Sequence, residues 1–157
     1  MNIVGFILSR NNGSLIERAI KKCPKCINQI FISDDKSTDN TNEVAKKNGV
    51  KVGAHPSFND LQGFGRREMK MPRQDIKSMI MYQVGALKSF LDEQGMPLNH
   101  IKPHGSLYVM AAKDDNMAHA IADAVETFNV PVFGMANTSH EKVYKDERGL
   151  DFIAEFS

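Results

Sequence analysis

The chain has 157 residues, enough for one domain with a real core. Its 20 Lys and Arg nearly balance 19 Asp and Glu, so there is no electrostatic reason to expect nucleic acid or an anionic membrane as a partner. No apolar run approaches the ~20 residues that span a bilayer, and the N-terminus turns polar too quickly for a signal peptide, so the expected location is cytoplasmic.

The pattern along the chain alternates strand and helix. Asn2–Ser9 is an apolar run of strand length, and Ser14–Lys22 carries Leu15, Ile16, Ala19 and Ile20 at helical spacing. Gln29–Ser33 reads as a short strand. Asp39–Lys47 reads as a helix that stops at Asn48-Gly49, a good C-terminal signal. Val50–Ala54 is a third strand, followed by a loop from His55 to about Met71 that is rich in Gly and charge. The strongest helix is Pro72–Gln94, with Ile76, Met79, Ile80, Val84, Leu87 and Leu91 on one stripe, Pro72 in the first turn and Gly95 after the end. His100–His104 is expected to be a strand and Asn116–Phe128 a helix. Val130–Met135 follows as a strand, Ser139–Arg148 as a helix, and Asp151–Phe156 as the last strand.

Such alternation implies an α/β fold: a parallel sheet of about six βα units in one domain, residues 1–157, either open or part of a barrel. The final strand has no helix after it, which reads as a fragment of something longer. It leaves a parallel edge that favours self-association as a homo-oligomer. The two cysteines, Cys23 and Cys26, make one C-x-x-C. That is half of a zinc site, so they read as reduced thiols in a helix-to-strand turn.

In parallel β/α folds ligands bind at the carboxyl ends of the strands. The sequence puts polar residues at those ends: Arg10, Asn11 and Asn12; Asp34 and Asp35; His55; His104; Asn137. Two segments stand out. In residues 52–67, His55 precedes Pro56 at a strand end, where an imidazole is held on a stiff turn and can serve as general base or metal ligand. Gly63 and Gly65 allow close backbone approach to a ligand, and Arg66 and Arg67 offer a bidentate clamp for carboxylate or phosphate. The bland alternative is a turn with a solvated Arg pair. In residues 101–108, Lys102 and His104 alternate on one strand face, where Lys beside His can stabilise developing negative charge. Tyr108 can reach back with its hydroxyl. The bland alternative here is a solvated Lys and a His satisfied by backbone. His100 and His119 read as structural, His140 as exposed in a short charged helix, and the nine Met as packing.

From about residue 45 onward the chain resembles the LamB/YcsF family, to which the 5-oxoprolinase A subunit belongs. The resemblance is carried by Gly-Val-Lys-Val-Gly-Ala-His-Pro-Ser-Phe (49–58), Asp-Leu-Gln-Gly-Phe-Gly-Arg-Arg (60–67), Tyr-Gln-Val-Gly-Ala-Leu (82–87) and Lys-Pro-His-Gly-Ser-Leu-Tyr (102–108), in order and at fitting spacing. Gly149 to Phe156 is similar to the run entering the next family strand. Within the long helix, Gly85 is expected to permit close helix–strand packing. The resemblance implies a distorted, here incomplete, β/α barrel of the carbohydrate deacetylase type. It also implies ATP-driven opening of 5-oxoproline to glutamate, with Mg-ATP and with 5-oxoprolinase subunits B and C as partners. Carried over by position, His55, Asp60, Lys102 and His104 are the catalytic candidates, while Gly63, Gly65, Arg66, Arg67 and Tyr108 bind substrate or phosphate. Cationic groups would serve phosphorylation of the lactam oxygen, and a His or carboxylate would direct water at the ring carbon. The resemblance assigns no metal.

Residues 1–44 depart from the family. They lack its opening Asp-x-Asn-x-Asp-x-Gly-Glu motif and its Gly-Phe-His-Ala-Gly segment. They instead resemble the first βαβ of nucleotide-sugar glycosyltransferases through Leu8-Ser-Arg-Asn-Asn12 and Ile32 to Thr41, in which Asp34, Asp35 and Asp39 would contact the nucleotide. The join reads as a chimeric or truncated chain, and the other readings of function are a nucleotide-sugar-binding domain or an inactive β/α fragment.

Overall fold

The computed structural model describes residues 3–9, 13–23, 27–34 and 39–155. Five strands alternate with helices: β1 (Ile3–Ser9), α1 (Gly13–Lys21), β2 (Ile27–Asp34), α2 (Thr41–Lys47), β3 (Lys51–Ala54), α3 (Arg73–Glu93), α4 (Gly105–Ala111), α5 (Asp115–Phe128), β4 (Val132–Met135), a π-helix (Glu141–Glu147) and β5 (Phe152–Glu155). Every strand pair is parallel, and β1, β2 and β3 lie side by side in chain order, as do β4 and β5.

The expected strand His100–His104 is reduced to a bridge at Ile101, which pairs with Ala54 on one side and Val132 on the other. Its ladder is nonetheless well formed. Asn99 donates to Val52 at 2.9 Å, Lys102 to Ala54 at 2.9 Å, and Phe133 to Ile101 at 3.0 Å. Pro103 has no N–H to continue the ladder, and the chain turns at once into α4. That helix, unexpected from the sequence, opens at Gly105 with φ +59°. Ile101 therefore joins β3 to β4, and the parallel order runs β1-β2-β3-Ile101-β4-β5.

α3 packs the face carrying Ile76, Ile80, Gln83, Val84, Leu87 and Leu91 against the sheet side, where Val52, Ala54 and Ile101 are buried. Met79, expected in that stripe, is only half-buried, and polar Gln83 takes a buried position instead. α5 buries Ala118, Ala120, Ile121, Ala122, Ala124 and Val125, and its alanines allow close packing. Asp114 caps α5 by accepting from the Asn116 amide at 2.8 Å and the Met117 amide at 3.2 Å. Arg73 of α3 grips Asp123 of α5 through two bonds of 2.7 and 2.8 Å. Gly85 has open space where a side chain would stand, so it is not the close-packing position expected of it. The close approaches occur at Gly53, where an added Cβ would strike the His100 ring, and at Gly134, where it would meet the His140 Cβ at 2.7 Å. No described helix is long and apolar enough to cross a membrane.

Candidate functional site

His55 follows the last residue of β3 and His104 follows Ile101 by three positions, so both sit at carboxyl ends of adjacent parallel strands. Their rings meet edge to face with centroids 4.8 Å apart. His104 Nδ1 lies 3.0 Å from His55 Nε2. On the far side His55 Nδ1 is 2.6 Å from the Lys102 carbonyl, and His104 Nε2 is 2.7 Å from the Phe64 carbonyl. Burial, and then the proximity of His104, lowers the His55 pKa to about 3. His55 is accordingly a neutral imidazole near physiological pH, as a base must be.

The loop that supplies Phe64 is built around Asp60. Its carboxylate accepts from the Gly63 amide at 2.9 Å, the Arg67 amide at 3.3 Å and Arg67 Nε at 2.8 Å, and pairs with the second guanidinium arm as well. The Arg67 hydrogen bonds lead in holding the Asp60 carboxyl down at about 2. Gly63 is required here by this carboxylate and the Arg67 chain, into which a Cβ would project. Gly65 takes φ +68° and packs beside Ser57 and His104. The loop is tied to the start of α4: Ser106 donates from its amide to Gly65 at 2.9 Å and from Oγ to Arg66 at 2.5 Å.

The Lys102 ammonium pairs with Glu155 at the end of β5, whose other oxygen accepts from the Tyr108 hydroxyl at 2.9 Å. Burial, and then Glu155, pushes the Tyr108 phenol far above its ordinary value. A Lys102–Glu155–Tyr108 cluster therefore flanks the histidine pair. Arg66 is exposed at the rim, whereas Arg67 is already engaged by Asp60.

Two residues of this site escaped the sequence reading. Glu155 lies in the Gly149–Phe156 run and carries no local signal of its own. Gln83 does carry one, as a polar residue on the buried stripe of α3. Its Oε1 accepts from the Ser57 amide at 3.1 Å and its Nε2 donates to the Ser57 carbonyl at 2.8 Å.

The remaining histidines are structural. The His100 ring fills the space over Gly53 and packs on Phe133, centroids 5.0 Å apart. His119 lies 3.0 Å from a Glu147 oxygen. His140, expected to be exposed, is fully buried. Its Nδ1 accepts from the Met135 amide at 3.0 Å, and its ring, at the N-terminal end of the π-helix, stacks on the buried Tyr144. Among the described residues no group of three His, Cys, Asp or Glu side chains could hold a metal ion. Cys23 is a half-buried free thiol, and Cys26 lies outside the described residues.

In the N-terminal part, Asp39 accepts from the Gly13 amide at 3.1 Å, the Thr41 amide at 3.0 Å and the Thr41 hydroxyl. That carboxylate ties the starts of α1 and α2 together, and its acceptor capacity is largely used. Arg10, Asn11, Asn12 and Asp35 lie outside the described residues.

The LamB/YcsF family model matches residues 31–157. The chain belongs to the LamB/YcsF family. It is 47% identical over 111 residues to the lactam utilization protein lamB of Emericella nidulans, covering 71% of this chain and 43% of that one. It is 48% identical over 114 residues to the 5-oxoprolinase A subunit of Thermus thermophilus, covering 71% of this chain and 45% of the other. A crystal structure of the lactam utilization protein from Thermus thermophilus superposes with TM-score 0.84 and 32% identity, over 99% of this chain and 66% of that one. The chain thus spans less than half the length of these curated relatives. The family match begins at residue 31, inside the segment that resembled a glycosyltransferase, and the backbone match extends over nearly the whole chain. The glycosyltransferase reading of residues 1–44 has no support from these relatives.

Proposed function

We propose that this chain contributes the hydrolytic site of a 5-oxoprolinase-type enzyme, which opens the cyclic amide of 5-oxoproline to glutamate. The observation that carries the reading is the His55–His104 pair at the carboxyl edge of the sheet, in a family whose relatives include the 5-oxoprolinase A subunit. The sequential order of parallel strands supports a further reading, that the sheet is an arc of a distorted β/α barrel.

In this reading an imidazole of the pair takes a proton from water, and the water oxygen bonds to the ring carbonyl carbon. The C–N bond then breaks, and the proton passes to the departing nitrogen. The Lys102 ammonium faces the negative charge that grows on the carbonyl oxygen, with Glu155 and Tyr108 fixing its position. Asp60 and Arg67 act on the loop rather than on the substrate, because they satisfy one another. Arg66 is the cation at the rim suited to a substrate carboxylate.

Arg67 is engaged by Asp60, which leaves the exposed Arg66 as the guanidinium of this loop open to a phosphate. ATP coupling belongs, in this reading, to the complex with subunits B and C.

The test combines the chain with 5-oxoprolinase subunits B and C, 5-oxoproline and Mg-ATP, and measures glutamate. Turnover is expected from the wild-type chain and is lost in His55→Ala and His104→Ala, each still giving a cooperative thermal transition. Full rate in either folded variant would remove that residue from the mechanism, and no glutamate from the wild-type mixture would remove the reading itself.

A further inference from the structure

The two histidines end on carbonyl oxygens: Lys102 beyond His55 Nδ1 and Phe64 beyond His104 Nε2. A carbonyl only accepts, so each outer nitrogen must carry a proton for its link to exist. The inner link, His55 Nε2 to His104 Nδ1, needs one more. Three protons on four nitrogens is one more than two neutral imidazoles hold. The chain of links is therefore complete only when the pair carries a single positive charge.

The surroundings oppose that charge. His55 is buried, and the nearby Lys102 ammonium, itself paired with Glu155, offers no counter-charge. On the loop side Asp60 and Arg67 neutralise one another, and Arg66 adds a further cation near the rim. Burial of His55 disfavours the third proton, and without it one link must fail.

The three links differ in stiffness. The Lys102 carbonyl is fixed by the ladder, since Lys102 donates to Ala54 at 2.9 Å and Ile101 is bridged on both sides. Emptying the inner link would leave two lone pairs facing at 3.0 Å between rings packed edge to face. Phe64 lies outside the sheet, and the Gly65 amide of the same peptide is held only within the loop, donating to the Asp60 carbonyl at 3.0 Å. The Phe64 side chain is 55% exposed, its φ is +54°, a conformation that L-residues adopt under strain, and it stands between Gly63 and Gly65.

We propose that His55 and His104 form one proton-sharing unit in which His104 Nε2 is the working base, and that the Phe64 carbonyl is a latch on that nitrogen, closed when the pair holds three protons and released when it holds two. In the released state His55 Nδ1–H donates to Lys102, His104 Nδ1–H donates to His55 Nε2, and His104 Nε2 carries a bare lone pair. For the reaction under Proposed function, on which the role of this base rests, Nε2 takes one proton from water, and hydroxide adds to the carbonyl carbon. The pair then carries one positive charge, matched by one negative charge on the tetrahedral oxygen. Passing that proton to the leaving nitrogen restores the neutral pair. The Phe64 carbonyl thus occupies the position that the attacking water takes.

The experiment is nitrogen NMR of the full chain labelled in histidine, titrated with pH, with resonances assigned from His55→Gln and His104→Gln. Above the titration, His104 is expected to show a protonated Nδ1 and a bare Nε2. On acidification the two rings take up one proton between them, and the Gly65 amide shifts in the same step. His104 protonated on Nε2 throughout, or a Gly65 amide that ignores the titration, would overturn the latch. The measurement needs neither subunits B and C nor substrate. The latch and the 5-oxoprolinase reading therefore fail separately.

Discussion

Gln83 holds Ser57 by both of its backbone groups, accepting from the amide at 3.1 Å and donating to the carbonyl at 2.8 Å. One side chain of α3 thereby imitates a neighbouring strand for a segment that has none. Pro56, just before it, has no N–H to offer any neighbour. The His55-Pro56 turn is thus held from the ladder at one end and from a helix at the other.

Replacing Gln83 by Ala leaves the amide and carbonyl of half-buried Ser57 without these partners. The expected cost is about 1–3 kcal/mol in urea unfolding. Gln83→Glu should fall between wild type and Ala, since a carboxylate can still accept from the Ser57 amide but cannot donate to its carbonyl. In the reconstituted assay kcat should fall while the order of the three proteins stays the same. Equal stability of Ala and wild type would mean that the clasp does not hold the turn.

The Asp60–Arg67 pair sets the acid stability of its loop. The folded carboxyl sits at about 2, held there first by the Arg67 hydrogen bonds. An unfolded Asp titrates near ~4. A lowered folded value means that the pair's contribution is complete above that range and lost as pH falls through about 2. Arg67→Ala should raise the carboxyl toward its ordinary value and move acid opening of the loop to higher pH. Faster exchange of the Gly65 amide is the readout. Unchanged exchange from neutral pH down to acid would show that Arg67 is not what closes the loop.

Three buried histidines should govern acid unfolding at milder pH. Burial is the leading cause that lowers His55 to about 3, and His100 and His140 each to about 4. Their unfolded values lie near ~6.5. Between those limits the unfolded chain binds protons that the folded chain refuses. Stability is therefore full above about pH 6.5 and falls as pH drops toward the folded values. With three such groups the slope approaches about 4 kcal/mol per pH unit at its steepest. Urea midpoints across this range measure it. A flat profile would mean that these rings are protonated in the native protein.

The sequence made the regular elements legible where local signals agreed. Ile76, Ile80, Val84, Leu87 and Leu91 lie buried on α3 as their spacing implies, and the helix stops just before Gly95. The short segment at 100–111 is less legible. His100–His104 looks like a full strand because its ladder lies in partner strands that no local pattern reveals, and α4 is hidden because Gly105 suggests only a loop. His140 misleads for a related reason: charged neighbours suggest solvent, yet its ring is buried between Tyr108 and Tyr144. The pairing of His55 with His104 spans 49 positions and emerges only when their strand ends become neighbours. Glu155 joins the site in the same way, across 53 positions from Lys102.

Gly53 offers a test of how tightly that edge is packed. It lies in β3, two residues before His55, and an added Cβ would enter the His100 ring itself. The ring cannot swing aside, because it is fully buried and packed against Phe133. Retreat of the strand would disturb the bonds that link Val52 and Ala54 to residues 99–102, and with them the Lys102 carbonyl that orients His55. Gly53→Ala should therefore cost about 1–3 kcal/mol or more, the range for forcing atoms into a packed core. A double variant, Gly53→Ala with His100→Ala, should recover part of that loss, because removing the ring opens the space the methyl needs. Urea midpoints of the two variants measure the coupling. A double variant less stable than the sum of the single losses would show that the clash is not with His100.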